Sequence, residues 1–157
     1  GNTAHLQTVA VPAGQRAQIT LADGTKVWLN AQSTLTYSHD FGRNERNVEL
    51  DGGAYFEVAK NREIPFYVNT ETNQVRIVET HFNVCAYRGS NEFTTTLLEG
   101  IVDIYAKGSE HSLTRLGGTR FLFSGTESSE RSVLLILIIS VGKMVYTVLM
   151  ILLLTCC

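Results

Sequence analysis

The residues that could do chemistry are few and scattered. Four histidines stand at His5, His39, His81 and His111. None pairs with another at the spacing of metal ligands. His39 has Asp40 beside it, but neighbours on an extended chain point apart, whereas a catalytic dyad needs facing side chains held by a third group. The histidines therefore read as surface or loop residues. Cys85 lies in a β-rich run and, by alternation, faces away from Phe82, Val84 and Ala86. A nucleophile would need a partner base and none is visible, so Cys85 reads as a small, half-buried residue. Glu57 and Glu99 invite a paired-carboxylate reading, yet both fall beside turns or at outward positions and read as solvated. Trp28, Tyr55, Phe56, Tyr67 and Tyr87 could line a carbohydrate-binding face. Aromatics are favoured in strands for packing alone, and packing is the preferred reading. Gly24, Gly52 and Gly100 each follow a strand, but another strand comes next where a phosphate cradle wants a helix N-terminus. No catalytic, metal or cofactor-binding residue is nominated.

Composition bounds the rest. The chain has 157 residues, 18% of them charged and 44% hydrophobic, with a formal net charge of −2. That size suits one domain with an appendage. The charge gives no electrostatic case for nucleic acid, and no Lys/Arg stripe interleaves with aromatics. Three cysteines, Cys85, Cys156 and Cys157, form an odd set without a CxxC pair. This argues against a disulfide framework and a structural zinc site. The opening residues GNTAHLQTVAVPAG show neither a basic nor an apolar signal-peptide region.

The elements that must position these side chains are strands. Ile19 and Leu21 alternate with polar neighbours, Asp23-Gly24 follows, and Val27 and Leu29 alternate again. Two alternating runs around Asp-Gly predict a hairpin, with a type I′ turn, an inward set of Ile19, Leu21, Val27 and Leu29, and Trp28 on the opposite face. Further strands are expected at Leu35–Tyr37, Asn47–Leu50, Ala54–Val58, Phe66–Thr70, Gln74–Val78, His81–Tyr87, Phe93–Leu98 and Ile101–Ala106. Turns are expected at Asp51-Gly52-Gly53, Glu71–Asn73, Arg88–Asn91, Glu99-Gly100 and Lys107–Glu110. About nine short strands at roughly ten-residue spacing predict an all-β fold, an antiparallel twisted sandwich or a stacked-sheet, solenoid-like domain.

Five stretches, in order, carry a resemblance. They are VPAGQRAQITLADGTKVWLNAQSTLTY (Val11–Tyr37), LDGGAYFEVAK (Leu50–Lys60), PFYVNT (Pro65–Thr70), THFNVCAY (Thr80–Tyr87) and TTLLEGIVDI (Thr95–Ile104). Together they resemble the periplasmic domain of FecR-like anti-sigma factors, especially the Bacteroidetes type. The resemblance implies a cytoplasmic anti-sigma segment and one transmembrane helix upstream, absent from this sequence. It implies a periplasmic β domain, in a protein anchored in the inner membrane, that receives a signal from the signalling domain of a TonB-dependent outer-membrane receptor. The signal is relayed to a sigma factor of the extracytoplasmic-function class, which is contacted only through the missing N-terminal part. No enzyme activity, cofactor or nucleic-acid partner is implied. The family-motif positions are Asp23, Gly24, Trp28, Asn30, Gly52, Tyr55, Phe56, Phe82, Asn83, Glu99 and Gly100, read as structural. The sequence departs from the family at Gly53, where Glu is usual, near Ser38, where Pro is usual, and near Glu79, where Gly is usual. A carbohydrate-binding β-sandwich module is the alternative function.

The last segment does not match this picture. Val133 to Leu154 is an apolar run of 22 residues, which as a helix would rise roughly 33 Å, near the ~30 Å of a bilayer core. Lys143 sits at its middle. Arg115, Arg120 and Arg131 precede it and no basic residue follows, which by the positive-inside tendency would put the β domain in the cytoplasm. The preferred reading is an aberrant terminus from a shifted reading frame, with the family likeness ending after Leu113. A transmembrane anchor, and hence a membrane contact, or a buried segment are the alternatives. The expected organisation is thus a tail over 1–10, the β domain over 11–115, a linker over 116–132 and the apolar tail over 133–157.

Overall fold

The computed structural model of the chain describes residues 5–90, 92–106, 112–116, 119–124 and 127–132. The described residues are all-β, as the alternation predicts. Eleven strands share one hydrogen-bonded network: β1 Leu6–Ala10, β2 Ala17–Thr20, β3 Lys26–Leu29, β4 Thr34–Ser38, β5 Arg46–Glu57, β6 Phe66–Asn69, β7 Asn73–Ala86, β8 Glu92–Ala106, β9 Ser112–Leu116, β10 Thr119–Ser124 and β11 Glu127–Ser132.

Three long strands organise the rest. The first half of β5 pairs with β4 and, in parallel, with β6, while its second half pairs with β3 and β7. The first half of β7 pairs with β6 and with the end of β8; the second half pairs with β5 and with the start of β8. β9 continues from the end of β8, and β10 and β11 from its start. Two runs of strands result, β1–β4–β5–β6–β7–β8–β9 and β2–β3–β5–β7–β8–β10–β11, joined by the strands they share. They close over one apolar cluster that includes Leu29, Leu35, Val48, Phe56, Phe66, Val68, Ile77, Phe82 and Val84. Phe56 of the second run lies 5.9 Å from Phe66 of the first and stacks on Phe82 at 5.0 Å with 9° between planes. The fold is therefore one continuous eleven-stranded sheet with a shared apolar core.

Where the long strands bend, the sequence reading differs from the structure. Gly52-Gly53 and Glu99-Gly100 were expected as turns, and each lies inside one strand, β5 or β8. Residues 74–78 and 81–87, expected as two strands, are mostly one, β7. The reason is physical. A glycine that relieves a bend inside a strand looks the same in sequence as one that makes a turn. At the second bend the β7–β8 register shifts between Ile77 and Thr80 and again between His81 and Phe82, as bulges do when they redirect a strand.

The Asp-Gly hairpin forms, pairing Ala17 with Leu29 through Thr20 with Lys26. Val27 and Leu29 are fully buried, Ile19 is partly buried against the core, and Trp28 faces the other way. The turn is not type I′. Gly24 has φ +90° but Asp23 does not have a positive φ. The Gly24 amide donates to Leu21 O at 3.0 Å and the Leu21 amide to Thr25 O at 2.8 Å, the pattern of a three-residue loop closed by a left-handed glycine. Two of the expected boundaries also move. Residues 6–10, expected as a tail, form β1 against β4, and much of 116–132, expected as a linker, forms β10 and β11. The expectations for Lys107–Glu110, His111, Cys156, Cys157 and Val133–Leu154 lie outside the described residues. Among those described, no helix is long and apolar enough to cross a membrane.

Candidate functional site

Asp23 closes its own loop and then reaches out of it. One carboxylate oxygen accepts the Thr25 amide at 2.9 Å and the other the Thr25 hydroxyl at 2.8 Å. The Arg46 guanidinium meets that second oxygen at 2.9 Å, with the Arg46 side chain 0% and the Asp23 side chain 10% exposed. Arg46 also donates to three backbone carbonyls of the β5–β6 connection, Ala59 at 2.7 Å, Asn61 at 3.2 Å and Ile64 at 2.6 Å. Its guanidinium carbon sits 5.6 Å from the Phe66 ring centre. The planar fork of an arginine suits this set of fixed acceptors. Thr25, fully buried, completes the joint by accepting the Ala59 amide at 3.1 Å. The hairpin β2–β3 and the β5–β6 connection are thereby fixed to each other. Arg46 was not nominated from sequence, although a signal existed: it shares the inward parity of Val48 and Leu50.

The loop from Asn30 to Ser33 and the pair Gly52-Gly53 form a second joint. The Asn30 amide donates to Gly53 O at 2.9 Å, and the Asn30 side chain accepts the Ala31 amide at 3.0 Å. The Ser33 hydroxyl accepts from the Gly53 amide at 2.9 Å and donates to the Gly53 carbonyl at 3.1 Å. Tyr87 donates to Ala31 O at 2.7 Å. Gly52 has φ +119°, and a Cβ there would come within 2.3 Å of Ser33 Oγ. Only glycine lets β5 bend this close to the loop before β4.

The aromatic motif positions divide by face. Phe56 and Phe82 belong to the core. Tyr55 is 0% exposed, and Trp28 packs against it at 5.4 Å with planes tilted 53°. Next to Tyr55, Asn83, Cys85, Thr94 and Thr96 are each at most 7% exposed. The two rings thus make no flat exposed platform, which removes the observation behind a carbohydrate-binding face. Tyr67 lies on the other run, where it bonds Arg76; that bond, with Asp103 3.3 Å from the guanidinium, holds Arg76 protonated above its usual range against the effect of burial.

Among the described residues the titratable groups do not converge. Register places His81 between Glu57 and Glu99 across β5, β7 and β8, so the two glutamates are two strand spacings apart, roughly 10 Å at the backbone. The His39 ring meets the Gln7 side-chain amide at 3.4 Å. Cys85 is disulfide-bonded, so it offers no thiolate and departs from the expectation set by the odd cysteine count. Among the described residues no group of three or more His, Cys, Asp or Glu could hold a metal ion. A shallow cleft of about 210 Å³ opens on the first run, lined by Thr34, Thr36, Glu49, Asp51, Asn69 and Arg88 among others. It is smaller and more polar than the usual small-molecule site. Arg88 closes one side, its amide donating to Asp51 Oδ1 at 2.8 Å.

What the arrangement offers is a set of sheet surfaces and strand edges. A family described as FecR protein matches residues 7–103, the span from β1 into β8. Two crystal structures of a candidate anti-sigma factor from Parabacteroides distasonis ATCC 8503 are similar to the chain. The one at 2.50 Å has 29% identity and a TM-score of 0.77, covering 82% of this chain and 61% of that one. The one at 1.65 Å has 29% identity and a TM-score of 0.75, covering 81% and 60%. The chain thus spans about three fifths of the length of these solved relatives. No curated protein matches it.

Proposed function

Because the chain belongs to the FecR protein family, we propose that it is the signal-relay domain of an anti-sigma factor and works by protein–protein contact. The observation that carries this is the extent of the family match. It takes in both joints, Asp23–Arg46 and Asn30–Gly53, and the strands they hold together. The buried side chains of Thr25, Ser33 and Arg46 fix loops to strands.

In the intact protein the domain lies in the periplasm, anchored through an inner-membrane helix. It receives its signal from the N-terminal signalling domain of a TonB-dependent outer-membrane receptor. The sigma factor is held by a separate segment and not by this domain. The relay needs no reaction, cofactor or nucleic acid, only a surface whose shape is kept constant. Binding of the purified chain to receptor signalling domains tests this, and saturable binding to one of them is the expected outcome.

A further inference from the structure

We propose that the outer face of β4, β5, β6, β7 and β8 docks a basic segment of the protein partner, a proposal that rests on the relay reading above. Register lays this face out in rows. Thr36, Glu49, Asn69, Gln74 and Tyr105 stand side by side on the five strands, and Tyr67, Arg76 and Asp103 form part of the next row. Their chain neighbours Leu35, Val48, Val68, Val75 and Ile104 belong to the core, so the named side chains point outward. Bonds between strands hold the face in shape. Gln74 donates to Asn69 at 2.7 Å, and Arg76 lies 3.3 Å from Asp103 and bonds Tyr67. Glu49 is exposed and the rings of Tyr67 and Tyr105 are half-buried, so the face is open to solvent.

Charge decides the occupant. At one end of the face lies the cleft of about 210 Å³, where Glu49, Asp51 and Glu71 stand against Arg88 alone. Asp51 and Glu71 accept the backbone amides of Arg88 at 2.8 Å and Gly89 at 3.3 Å, which fixes both carboxylates without neutralising them. The Arg88 guanidinium is 3.9 Å from Asp51 and 70% exposed, a weak pairing. Glu49 forms no ion pair among the described residues. The cleft has room for one long cationic side chain, which would meet carboxylates already in place. At the other end stand Tyr67, Arg76 and Tyr105, of the residue types that carry most of the energy at protein interfaces. Arg76 is paired with Asp103, so this end adds little charge of its own. Glu49 and Tyr105 are three strand spacings apart, roughly 14 Å, the span of about four extended residues. A two-fold pair of copies joined through this face would bring two acidic clefts together, which like charges oppose. The same charge repels nucleic acid and an anionic membrane.

The test uses the full 157-residue chain and, as probes, purified N-terminal signalling domains of the TonB-dependent receptors of the source organism. Glu49→Lys reverses the charge of an exposed side chain, so the circular dichroism should stay unchanged while binding weakens by at least about tenfold. Glu49→Gln should weaken it less and should flatten its dependence on salt. Tyr105→Ala should weaken binding by about tenfold and leave the salt dependence as it was. Equal binding by the wild type and all three variants would overturn the docking face and leave the relay reading standing. Failure of the folded wild type to bind any receptor domain would overturn both. Self-association of the chain that Glu49→Lys abolishes would give the face to a second copy and overturn the proposal.

Discussion

Arg46 Nη1 and Asp23 Oδ2 meet at 2.9 Å across 23 positions of sequence, with the arginine side chain fully buried. This pair ties the hairpin β2–β3 to the β5–β6 connection. A buried ion pair by itself is weak evidence of stability, because desolvation offsets the attraction. Here the remaining arginine donors are satisfied by Ala59, Asn61 and Ile64 carbonyls. Removing the arginine leaves the Asp23 carboxylate without its counter-charge and takes a donor from three carbonyls at once.

Arg46→Ala should therefore destabilise the chain by about 3–5 kcal/mol, read as a shift of the urea midpoint. Arg46→Lys should recover little of this, since one ammonium cannot replace a fork bonded to four acceptors. Full rescue by lysine would mean that only the charge matters.

Gly52→Ala should cost about 3 kcal/mol or more, from φ +119° and the clash with Ser33 together. Trimming Ser33 to Ala in the same chain should not restore stability, because Ser33 Cα itself lies 2.8 Å from the added Cβ. Thermal denaturation of the single and double variants checks it.

Phe56→Ala should cost about 3–5 kcal/mol, because that ring contacts both Phe66 and Phe82 in the centre of the core. By contrast, Arg43→Ala breaks a pair with Asp40 at 3.6 Å whose side chains are 78% and 70% exposed. It should change stability by no more than about 0.5 kcal/mol. Equilibrium unfolding of both variants separates core from surface.

A glycan array probed with the chain should give no signal, since Tyr55 is buried and Trp28 is tilted against it. Specific oligosaccharide binding that Trp28→Ala abolishes would restore the carbohydrate reading.

Some of this was legible in the sequence for a clear reason. Local signals, such as Asp23-Gly24 between two alternating runs, report local geometry, and the hairpin is where they place it. The inward parity of Val27 and Leu29 held because a two-residue period leaves a strand no third choice. The bends at Gly52-Gly53 and near Gly100 did not read out, because glycine signals backbone freedom and not the direction in which it is used. Arg46 lay hidden for a different reason. Its acceptors are backbone carbonyls at Ala59, Asn61 and Ile64, and a carbonyl has no letter in a sequence. The motif positions Asp23 and Gly52 could be named from the family resemblance, but their partners Arg46 and Ser33 could only be found in three dimensions.

The relay itself is tested most directly by titrating the full chain with isolated receptor signalling domains in a calorimeter, with the fold checked by circular dichroism in the same samples. The account predicts saturable binding to at least one domain. A folded chain that binds none of them would contradict it.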